Sequence, residues 1–318
     1  MPHHNDIARN IEAICGKPLQ ISHPVYQKLS ETLKPLLTTV NKRLVEDKAP
    51  FSPIGWLATP MEQREFIRAA AYYHPAETLE LANLVTVRPP DNVHRMQRGD
   101  PYWVGDFFSG NMIIHVLQQC GLLRSSQTIL DIGCSSGSLL RVLAAFDRSW
   151  VLHGRDPIAS AVNWANENVT TARFKPMHTK PPLDFAEGSL DGVTAISVWS
   201  HHRPDAAQTW INEIARVLKP GGWFAMTFST LHHVYWMVKN RKAKTEIIDA
   251  MLKNMALRGN HFVSVKYKGE DAETDSDWGQ SCYSREFFFE MFRESFNVAG
   301  YFPGLNQGNQ DVAVFTRI

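Results

Sequence analysis

The run from Thr128 to Ala144, TILDIGCSSGSLLRVLA, constrains the fold of this chain more than any other segment. It begins as a short apolar strand, passes through small residues, and continues with the apolar spacing of an amphipathic helix. Gly133 and Gly137 allow positive φ and a close approach of the backbone, and the helix start that follows has unpaired N–H groups. The run therefore predicts a binding turn at the carboxyl end of a strand, where open α/β sheets hold ligands.

Several glycine-rich turns match this run in part. The dinucleotide fingerprint G-x-G-x-x-G would need glycine where Ser135 and Ser138 stand, and a phosphate loop would need a lysine after Gly137. The run does satisfy G-x-S-x-G, the nucleophile elbow of α/β hydrolases, but the upstream chain is helical and holds no HGGG-type oxyanion loop. The remaining alternative is a tight turn between strand and helix that binds no ligand.

After about residue 110, short apolar strands alternate with helical segments, which predicts right-handed crossovers and a parallel sheet. The predicted strands are 127–132, 150–154, 172–175, 192–198 and 222–229, and the predicted helices are 111–122, 138–146, 158–168 and 205–218. A helical insert at 238–258 and a helix at 285–295 follow. Strands 296–302 and 311–317 then predict a closing antiparallel hairpin at a sheet edge.

The first hundred residues have a different, helical pattern. An apolar face with helical spacing runs from Leu29 to Leu44, and Pro35 is expected to kink or split it because proline lacks the N–H group. A second helical pattern covers 60–84. We therefore expect a helical N-terminal extension over 1–100 and an α/β domain over 101–318.

Asp156 lies 19 residues after Gly137, at the end of the predicted strand 150–154. A carboxylate at this spacing can accept hydrogen bonds from both hydroxyls of a ribose. An isolated aspartate at a strand end is more often a helix cap. Its pairing with the glycine turn favours the ribose role.

Asp131, Gly133 and Gly137 resemble the first motif of class I S-adenosylmethionine-dependent methyltransferases, with Ser135 in place of the middle glycine. Two segments, Ala195–His201 and Trp210–Gly222, the second of which ends in RVLKPGG, are similar to methyltransferases of bacterial glycan and surface-polysaccharide clusters, as is the ending GNQDVAV. The resemblance covers about residues 100–318. It implies a doubly wound, Rossmann-like sheet of seven mostly parallel strands with an antiparallel C-terminal hairpin, and S-adenosyl-L-methionine as cofactor.

The resemblance also implies which residues bind the cofactor. We expect them to be Asp131, Gly133, Cys134, Ser135, Gly137, Asp156, Pro157, Ser197 and Trp103. Pro157 would flank the adenine, and Trp103 would cover the methionine end unless it packs in the core. No acidic residue follows Phe174 where many relatives bind the adenine amino group, so His178 or the backbone would take that role.

Four histidines follow the predicted fourth and fifth strands, at the edge where ligands should lie: His201, His202, His232 and His233. A neutral imidazole can accept the proton that a hydroxyl acceptor loses on methylation. We expect His201 to be this base, with His232 and then His202 as alternatives, although such histidines more often only hydrogen-bond loops. These four histidines have neither the HxxxH nor the HxxE spacing typical of metal ligands, so no metal is expected.

Composition restricts the partners and the compartment. Lysine plus arginine number 33 against 32 acidic residues, and this balance disfavours a nucleic-acid partner. The start MPHHNDIARN has no apolar signal core, no apolar stretch would span a membrane, and the four cysteines are dispersed. These features predict a cytoplasmic protein without a membrane partner, and they leave the oligomeric state open.

We therefore predict methyl transfer to a small-molecule acceptor, with an oxygen of a sugar, glycan precursor or related metabolite as the favoured site. An insert at about 231–283, with basic residues between Lys239 and Lys244, would form a lid over the acceptor or a solvated helix face. One alternative is a protein or RNA methyltransferase that docks through the N-terminal region. Another is a non-catalytic cofactor-binding module, which the intact Asp131, Gly133, Gly137 and Asp156 disfavour.

Overall fold

A computed structural model describes residues 9–14, 19–48, 55, 57–91, 93, 106–265 and 277–318. The chain divides into two compact units. The first comprises Ile21–His115 and Leu123–Pro176, and the second comprises Met1–Gln20, Val116–Leu122 and Met177–Ile318. The boundary near residue 100, which separates the proposed extension from the α/β domain, stays a prediction.

The first unit begins with helices that proline residues delimit. These are α1 (Pro24–Leu33), a 3-10 turn (Lys34–Leu36), α2 (Leu37–Glu46), α3 (Pro60–Tyr73) and α4 (Pro75–Ala82). The split that was predicted at Pro35 is confirmed, because the chain follows a 3-10 path there between α1 and α2. The predicted helix over 60–84 is two helices, since Pro75 starts a new one directly after His74.

The rest of the chain alternates between strands and helices. In chain order the elements are α5 (Asp106–Gln119), β1 (Thr128–Ile132), α6 (Ser138–Phe146), β2 (Val151–Asp156), α7 (Ala159–Asn168), β3 (Arg173–Pro176), β4 (Leu190–Ala195), α8 (Pro204–Val217), β5 (Leu218–Phe228), α9 (Leu231–Lys239), α10 (Thr245–Arg258), β6 (Asn260–Ser264), β7 (Gly279–Tyr283), α11 (Arg285–Glu290), β8 (Phe296–Asn306) and β9 (Gln310–Arg317). The predicted helix over 285–295 is shorter and ends at Glu290.

The main sheet has seven strands in the order β3-β2-β1-β4-β5-β9-β8. Strand β2 pairs in parallel with β1 and β3, and β4 pairs in parallel with β5. Strand β9 is antiparallel to both β5 and β8, so the predicted closing hairpin is confirmed. This is the mostly parallel, Rossmann-like sheet with an antiparallel C-terminal end that the sequence predicts.

The insert after β5 is helical, as predicted for 238–258, but it begins earlier, at Leu231. It contains two helices, α9 and α10, followed by a separate two-stranded sheet of β6 and β7. Thr230 caps α9, since its hydroxyl accepts a hydrogen bond from the His232 N–H. Because α9 begins at Leu231, His232 and His233 lie in its first turn. Buried apolar side chains join the two helices: Val234, Met237, Val238, Ile248, Met251 and Met255.

The predicted strand 192–198 is shorter at its carboxyl end. Strand β4 stops at Ala195, and the chain then turns through Ser197, whose φ is +60°. Throughout the described ranges, no helix combines the length and the apolar character that a membrane span needs.

Candidate active site

The glycine turn lies in the first unit, between β1 and α6. Three of its residues have positive φ: Gly133 (77°), Ser135 (47°) and Gly137 (82°). Gly137 is the N-cap of α6, and a Cβ added there would lie 2.7 Å from the ring of Phe174. Glycine is therefore required at 137 for its backbone angles and for its lack of a side chain.

Asp156, the last residue of β2, holds this turn in place. One carboxylate oxygen accepts a hydrogen bond from the Ser135 N–H at 2.8 Å, and the other accepts one from the Ile158 N–H at 2.8 Å. The Arg155 carbonyl accepts a hydrogen bond from the Gly133 N–H at 2.8 Å. The end of β2 thus fixes the path of the turn through side chain and backbone together.

The same carboxylate fits the ribose role. Asp156 is 5% exposed, and burial raises the pKa of its carboxyl group, while the amide hydrogen bonds from Ile158 and Ser135 oppose the rise. Each carboxylate oxygen has a lone pair beyond the one that its amide partner uses, so ribose hydroxyls can still donate to it. The donor and acceptor chemistry of the turn is therefore compatible with the adenosine of the expected cofactor.

The other expected cofactor residues of this unit differ in how they are placed. Asp131 is buried in β1, opposite Gly154 of β2. The thiol of Cys134 is buried and packs at Gly154, where an added Cβ would lie 2.8 Å from its sulfur. Burial raises the pKa of this thiol well above its ordinary value. Pro157 is exposed just after β2, and Trp103 lies outside the described residues.

The hydrolase alternative would need a base beside the serine of G-x-S-x-G. That serine is Ser135, and within the described residues its hydroxyl hydrogen-bonds no histidine. Its backbone N–H is held by Asp156 instead. The geometry of a nucleophile elbow with its partner base is thus absent from the described part of the turn.

In the second unit, Ser197 belongs to a buried polar network. Its N–H donates to the Thr227 hydroxyl at 2.7 Å, and its own hydroxyl donates to Gln310 Oε1 at 3.0 Å. Gln310 Oε1 also accepts from Thr227 at 2.9 Å and from Asn306 at 2.8 Å. This network fixes the loop after β4 against β5 and β9.

His201 lies in that loop, and its ring is held in one orientation. Its Nδ1 lies 2.7 Å from the carbonyl oxygen of Gly279, and its ring stacks on Trp278 with the centroids 4.8 Å apart. A carbonyl only accepts hydrogen bonds, so Nδ1 carries the hydrogen and Nε2 has the free lone pair. Burial lowers the pKa of His201, and the neighbouring His233 lowers it further, although the bond to Gly279 opposes this. At neutral pH the ring is therefore a neutral base.

His202 has a different environment. Its ring is 7% exposed and makes aromatic contacts with Trp199, Trp210 and Trp278. Its carbonyl oxygen accepts hydrogen bonds from the hydroxyls of Ser281 and Tyr283. These contacts make His202 a packing residue that joins β7 to the loop after β4.

His232 pairs with a carboxylate that we did not predict as a site residue. Its Nδ1 lies 2.7 Å from Oδ1 of Asp311, and both side chains are buried. Asp311 also accepts hydrogen bonds from Thr230, Tyr301 and the Gly304 N–H. The Nε2 of His232 is buried without a hydrogen-bond partner among the described residues. This burial makes His232 less accessible to an acceptor than His201.

His233 uses both of its ring nitrogens. Nδ1 lies 2.7 Å from Asn309 Oδ1, and Nε2 lies 2.9 Å from Gln280 Nε2. Since the Asn309 oxygen accepts and the Gln280 amide donates, the ring is the neutral Nδ1–H tautomer. Burial lowers its pKa, which agrees with a neutral ring.

The structure therefore separates the four predicted histidines. It places His201 at a partly exposed position and the other three in buried contacts.

Sequence reasoning missed Trp278, Gly279, Gln280 and Asp311 as neighbours of these rings. The one available signal was Asp311, a carboxylate at the start of an apolar strand. Among the described residues, no three or more histidine, cysteine, aspartate or glutamate side chains lie together so that they could hold a metal ion.

Comparisons with known proteins show what this chain is similar to. A family model described as a methyltransferase domain matches residues 129–222. A curated relative is 2-methyl-6-phytyl-1,4-hydroquinone methyltransferase of Synechocystis sp. (strain ATCC 27184 / PCC 6803 / Kazusa), which is 31% identical over 139 residues. That alignment covers 42% of this chain and 42% of the relative, so the chain matches less than half of that protein's length.

Two solved structures resemble the chain at low sequence identity. One is a SAM-dependent methyltransferase from Methanosarcina mazei, with 20% identity, a TM-score of 0.46, and coverage of 65% of this chain and 97% of that one. The other is a protein from Pyrococcus horikoshii OT3, with 14% identity, a TM-score of 0.49, and coverage of 70% and 99%. The matched residues 129–222, which include the glycine turn and Asp156, are therefore similar to a methyltransferase domain.

Proposed function

We propose that this protein transfers a methyl group from S-adenosyl-L-methionine to a small-molecule acceptor, at an oxygen of a sugar, glycan precursor or related metabolite. The observation that carries the proposal is the turn from Gly133 to Gly137, held at the end of β2 by the two amide hydrogen bonds of Asp156. The matched methyltransferase domain supports the cofactor. The Synechocystis relative is named for a hydroquinone, and this supports a small molecule as the acceptor.

In this proposal the residues that bind the cofactor are those named from the sequence. They are Asp131, Gly133, Cys134, Ser135, Gly137, Asp156, Pro157, Ser197 and Trp103. Because the Cys134 thiol is buried at Gly154, Cys134 would contribute its backbone only. Asp156 would accept hydrogen bonds from the ribose, and the small residues of the turn would let the cofactor approach the backbone.

The bound cofactor supplies an electrophilic methyl group, and the protein must orient the acceptor and remove its proton. We assign the proton to Nε2 of His201, since Nδ1 is engaged by Gly279 and the lowered pKa keeps the ring neutral. Nε2 would accept the O–H proton that the acceptor loses when its oxygen takes the methyl group, and the bond from that methyl group to the cofactor sulfur would break to leave S-adenosylhomocysteine. The proton then leaves to solvent, and the ring returns to its neutral form.

The polar side chains around His201 agree with a polar acceptor. His233, Gln280 and Asn309 form one hydrogen-bonded set, and Gln280 directly follows Gly279. Gln280 is exposed, and Asn309 is partly exposed. Amide groups of this kind recognise hydroxyl groups, while the face of Trp278 suits an apolar ring surface. The insert 231–283 carries Trp278, Gly279 and Gln280, which supports its proposed role as a lid.

A cofactor assay and an esterase assay together test the proposal. The purified protein is denatured, and the released small molecules are analysed by mass spectrometry for S-adenosylmethionine and S-adenosylhomocysteine. The protein is also incubated with p-nitrophenyl acetate. We expect released cofactor and no esterase activity. Ester hydrolysis that Ser135→Ala abolishes, found without any bound cofactor, would instead identify Ser135 as a nucleophile and overturn the proposal.

A further inference from the structure

The segment Asp277–Tyr283, which ends the insert, is attached by backbone hydrogen bonds to the loop that carries His201. The Arg203 N–H donates to the Asp277 carbonyl at 2.9 Å, and the Gly279 N–H donates to the His201 carbonyl at 2.8 Å. The Ser281 N–H donates to the Ser200 carbonyl, also at 2.8 Å. These bonds fix the peptide groups of the segment beside the histidine ring.

That attachment sets the state of the His201 ring. The Gly279 carbonyl receives the hydrogen of Nδ1, and the indole of Trp278 lies nearly parallel to the imidazole, at an interplanar angle of 21°. Without this carbonyl, a neutral imidazole in water exchanges between its two tautomers. With it, one tautomer and one ring plane are selected, and the lone pair is at Nε2.

Asp277 is the charged residue at the start of this segment. Its Oδ1 lies 2.8 Å from the Arg203 guanidinium and its Oδ2 lies 3.2 Å from Lys180 Nζ, while its side chain is only 16% exposed. Arg203 also pairs with Asp205. Two cations from different loops thus converge on one partly buried carboxylate, an arrangement that is stronger than an isolated surface pair.

We propose that Asp277 is a positioning residue for proton transfer: its ion pairs with Arg203 and Lys180 hold Gly279 and Trp278 against His201, and thereby fix the Nδ1–H tautomer. Asp277 acts through the peptide that it anchors and has no contact of its own with the acceptor. This inference rests on the proposed role of His201. It adds that the insert is part of the proton-accepting apparatus as well as a cover.

The test is a comparison of Asp277→Asn with Asp191→Asn. Asp191 is a suitable control because it also pairs with a lysine, at 2.7 Å from Lys219 Nζ. Nitrogen-15 NMR of histidine-labelled protein reports which ring nitrogen carries the hydrogen, and it needs neither cofactor nor acceptor. We expect the parent and Asp191→Asn to show His201 as one Nδ1–H tautomer. In Asp277→Asn the two nitrogen shifts should move toward each other, as in a mixture of tautomers.

The second readout is kinetic and uses an acceptor that the parent protein methylates. Asp277→Asn should lower kcat about tenfold with little change in KM, because a misplaced base affects the chemical step more than binding. Arg203→Gln should reproduce both effects, and it provides a second variant if Asp277→Asn fails to fold. His233 is a titratable neighbour of His201 and accepts from Gln280 of the same segment, so its NMR signals are assigned separately from those of His201.

The outcomes separate this inference from the proposed function. A parent-like tautomer in folded Asp277→Asn and Arg203→Gln overturns the positioning role, whatever the activity. If the tautomer changes but His201→Gln keeps the parent rate, then His201 is not the base, and the positioning role for catalysis falls with it. Absence of cofactor binding contradicts the proposed function and leaves the tautomer result as a statement about structure alone.

Discussion

Asp156 has a role in the fold and a proposed role in binding the cofactor. Its two oxygens accept amide hydrogen bonds from Ser135 and Ile158, so the carboxylate stabilises the turn that it is proposed to share with the cofactor. The sequence presented a helix cap and a ribose ligand as alternatives. The N-cap of α7 is Ile158, so the hydrogen bond from the Ile158 N–H makes Asp156 part of a turn before the helix, and the remaining lone pairs allow the ribose role.

The first prediction concerns Asp156 itself. Asp156→Ala should weaken binding of S-adenosylhomocysteine by about 1.5–3 kcal/mol, since bonds to a charged acceptor are lost. Asp156→Asn should give a similar loss, because its amide NH2 cannot accept from Ser135 or Ile158. Calorimetric titration measures both, with Glu167→Gln as a control at an exposed position of the first unit. An unchanged affinity in folded Asp156→Ala would leave Asp156 with the structural role alone.

The second prediction concerns the pH dependence of His201. Its pKa is lowered from 6.5, so the neutral, proton-accepting form persists below pH 6.5. Turnover should therefore stay level near neutrality and fall only at a pH below about 6.5. His201→Ala should reduce turnover about 10²–10⁴-fold and leave cofactor affinity nearly intact. His261→Ala, in the insert strand β6, is the control. Rate profiles of His201→Ala that match the parent would remove His201 from the mechanism.

The third prediction concerns the buried pair of His232 and Asp311. Asp311→Asn should lower the free energy of unfolding by about 2–3 kcal/mol, because buried donors from Thr230, Tyr301 or Gly304 lose their acceptor. Chemical denaturation measures this, and Asp249→Asn makes the same charge change at an exposed position. Equal stability of the two variants would show that the Asp311 contacts contribute little.

At the scale of elements, the glycine turn carries residues of the proposed cofactor site, and the insert carries neighbours of the proposed base. The turn depends on positive φ at Gly133, Ser135 and Gly137 and on the space that Gly137 leaves for Phe174. The turn was predictable because local backbone requirements select glycine and serine. The path of β7 beside His201 was not, since it depends on contacts between residues nearly eighty positions apart, such as the bond from His201 to Gly279.

The fourth prediction compares two glycines with positive φ. An alanine at Gly121 (φ +67°) meets no atom within 4 Å, whereas one at Gly137 (φ +82°) would meet the Phe174 ring at 2.7 Å. Both variants bear the backbone cost of about 1–2 kcal/mol, but Gly137→Ala adds a clash at the turn. We expect Gly137→Ala to have the lower Tm and at least tenfold weaker cofactor affinity. If both variants behave alike, the close approach of Phe174 does not matter.

At the scale of the whole molecule, strand alternation was sufficient to predict the seven-stranded sheet and its antiparallel end. The split at Pro35 was also predictable, since proline acts on the backbone locally. The two-stranded sheet of β6 and β7 was not predicted, because its strands are short and lack a clear alternating pattern. The division of the four histidines into one partly exposed ring and three buried ones depends on packing, which periodicity does not reveal.

The most direct test of the central claim is a calorimetric titration of the intact protein with S-adenosylhomocysteine. The account predicts binding at one site with a Kd in the low-micromolar range or tighter, equivalent to about 7–8 kcal/mol or more. It also predicts that the heat is strongly reduced in Gly137→Ala and unchanged in Gly121→Ala. If the parent protein, shown by circular dichroism to be folded, gives no binding heat with either S-adenosylhomocysteine or S-adenosylmethionine at several temperatures, the account is contradicted.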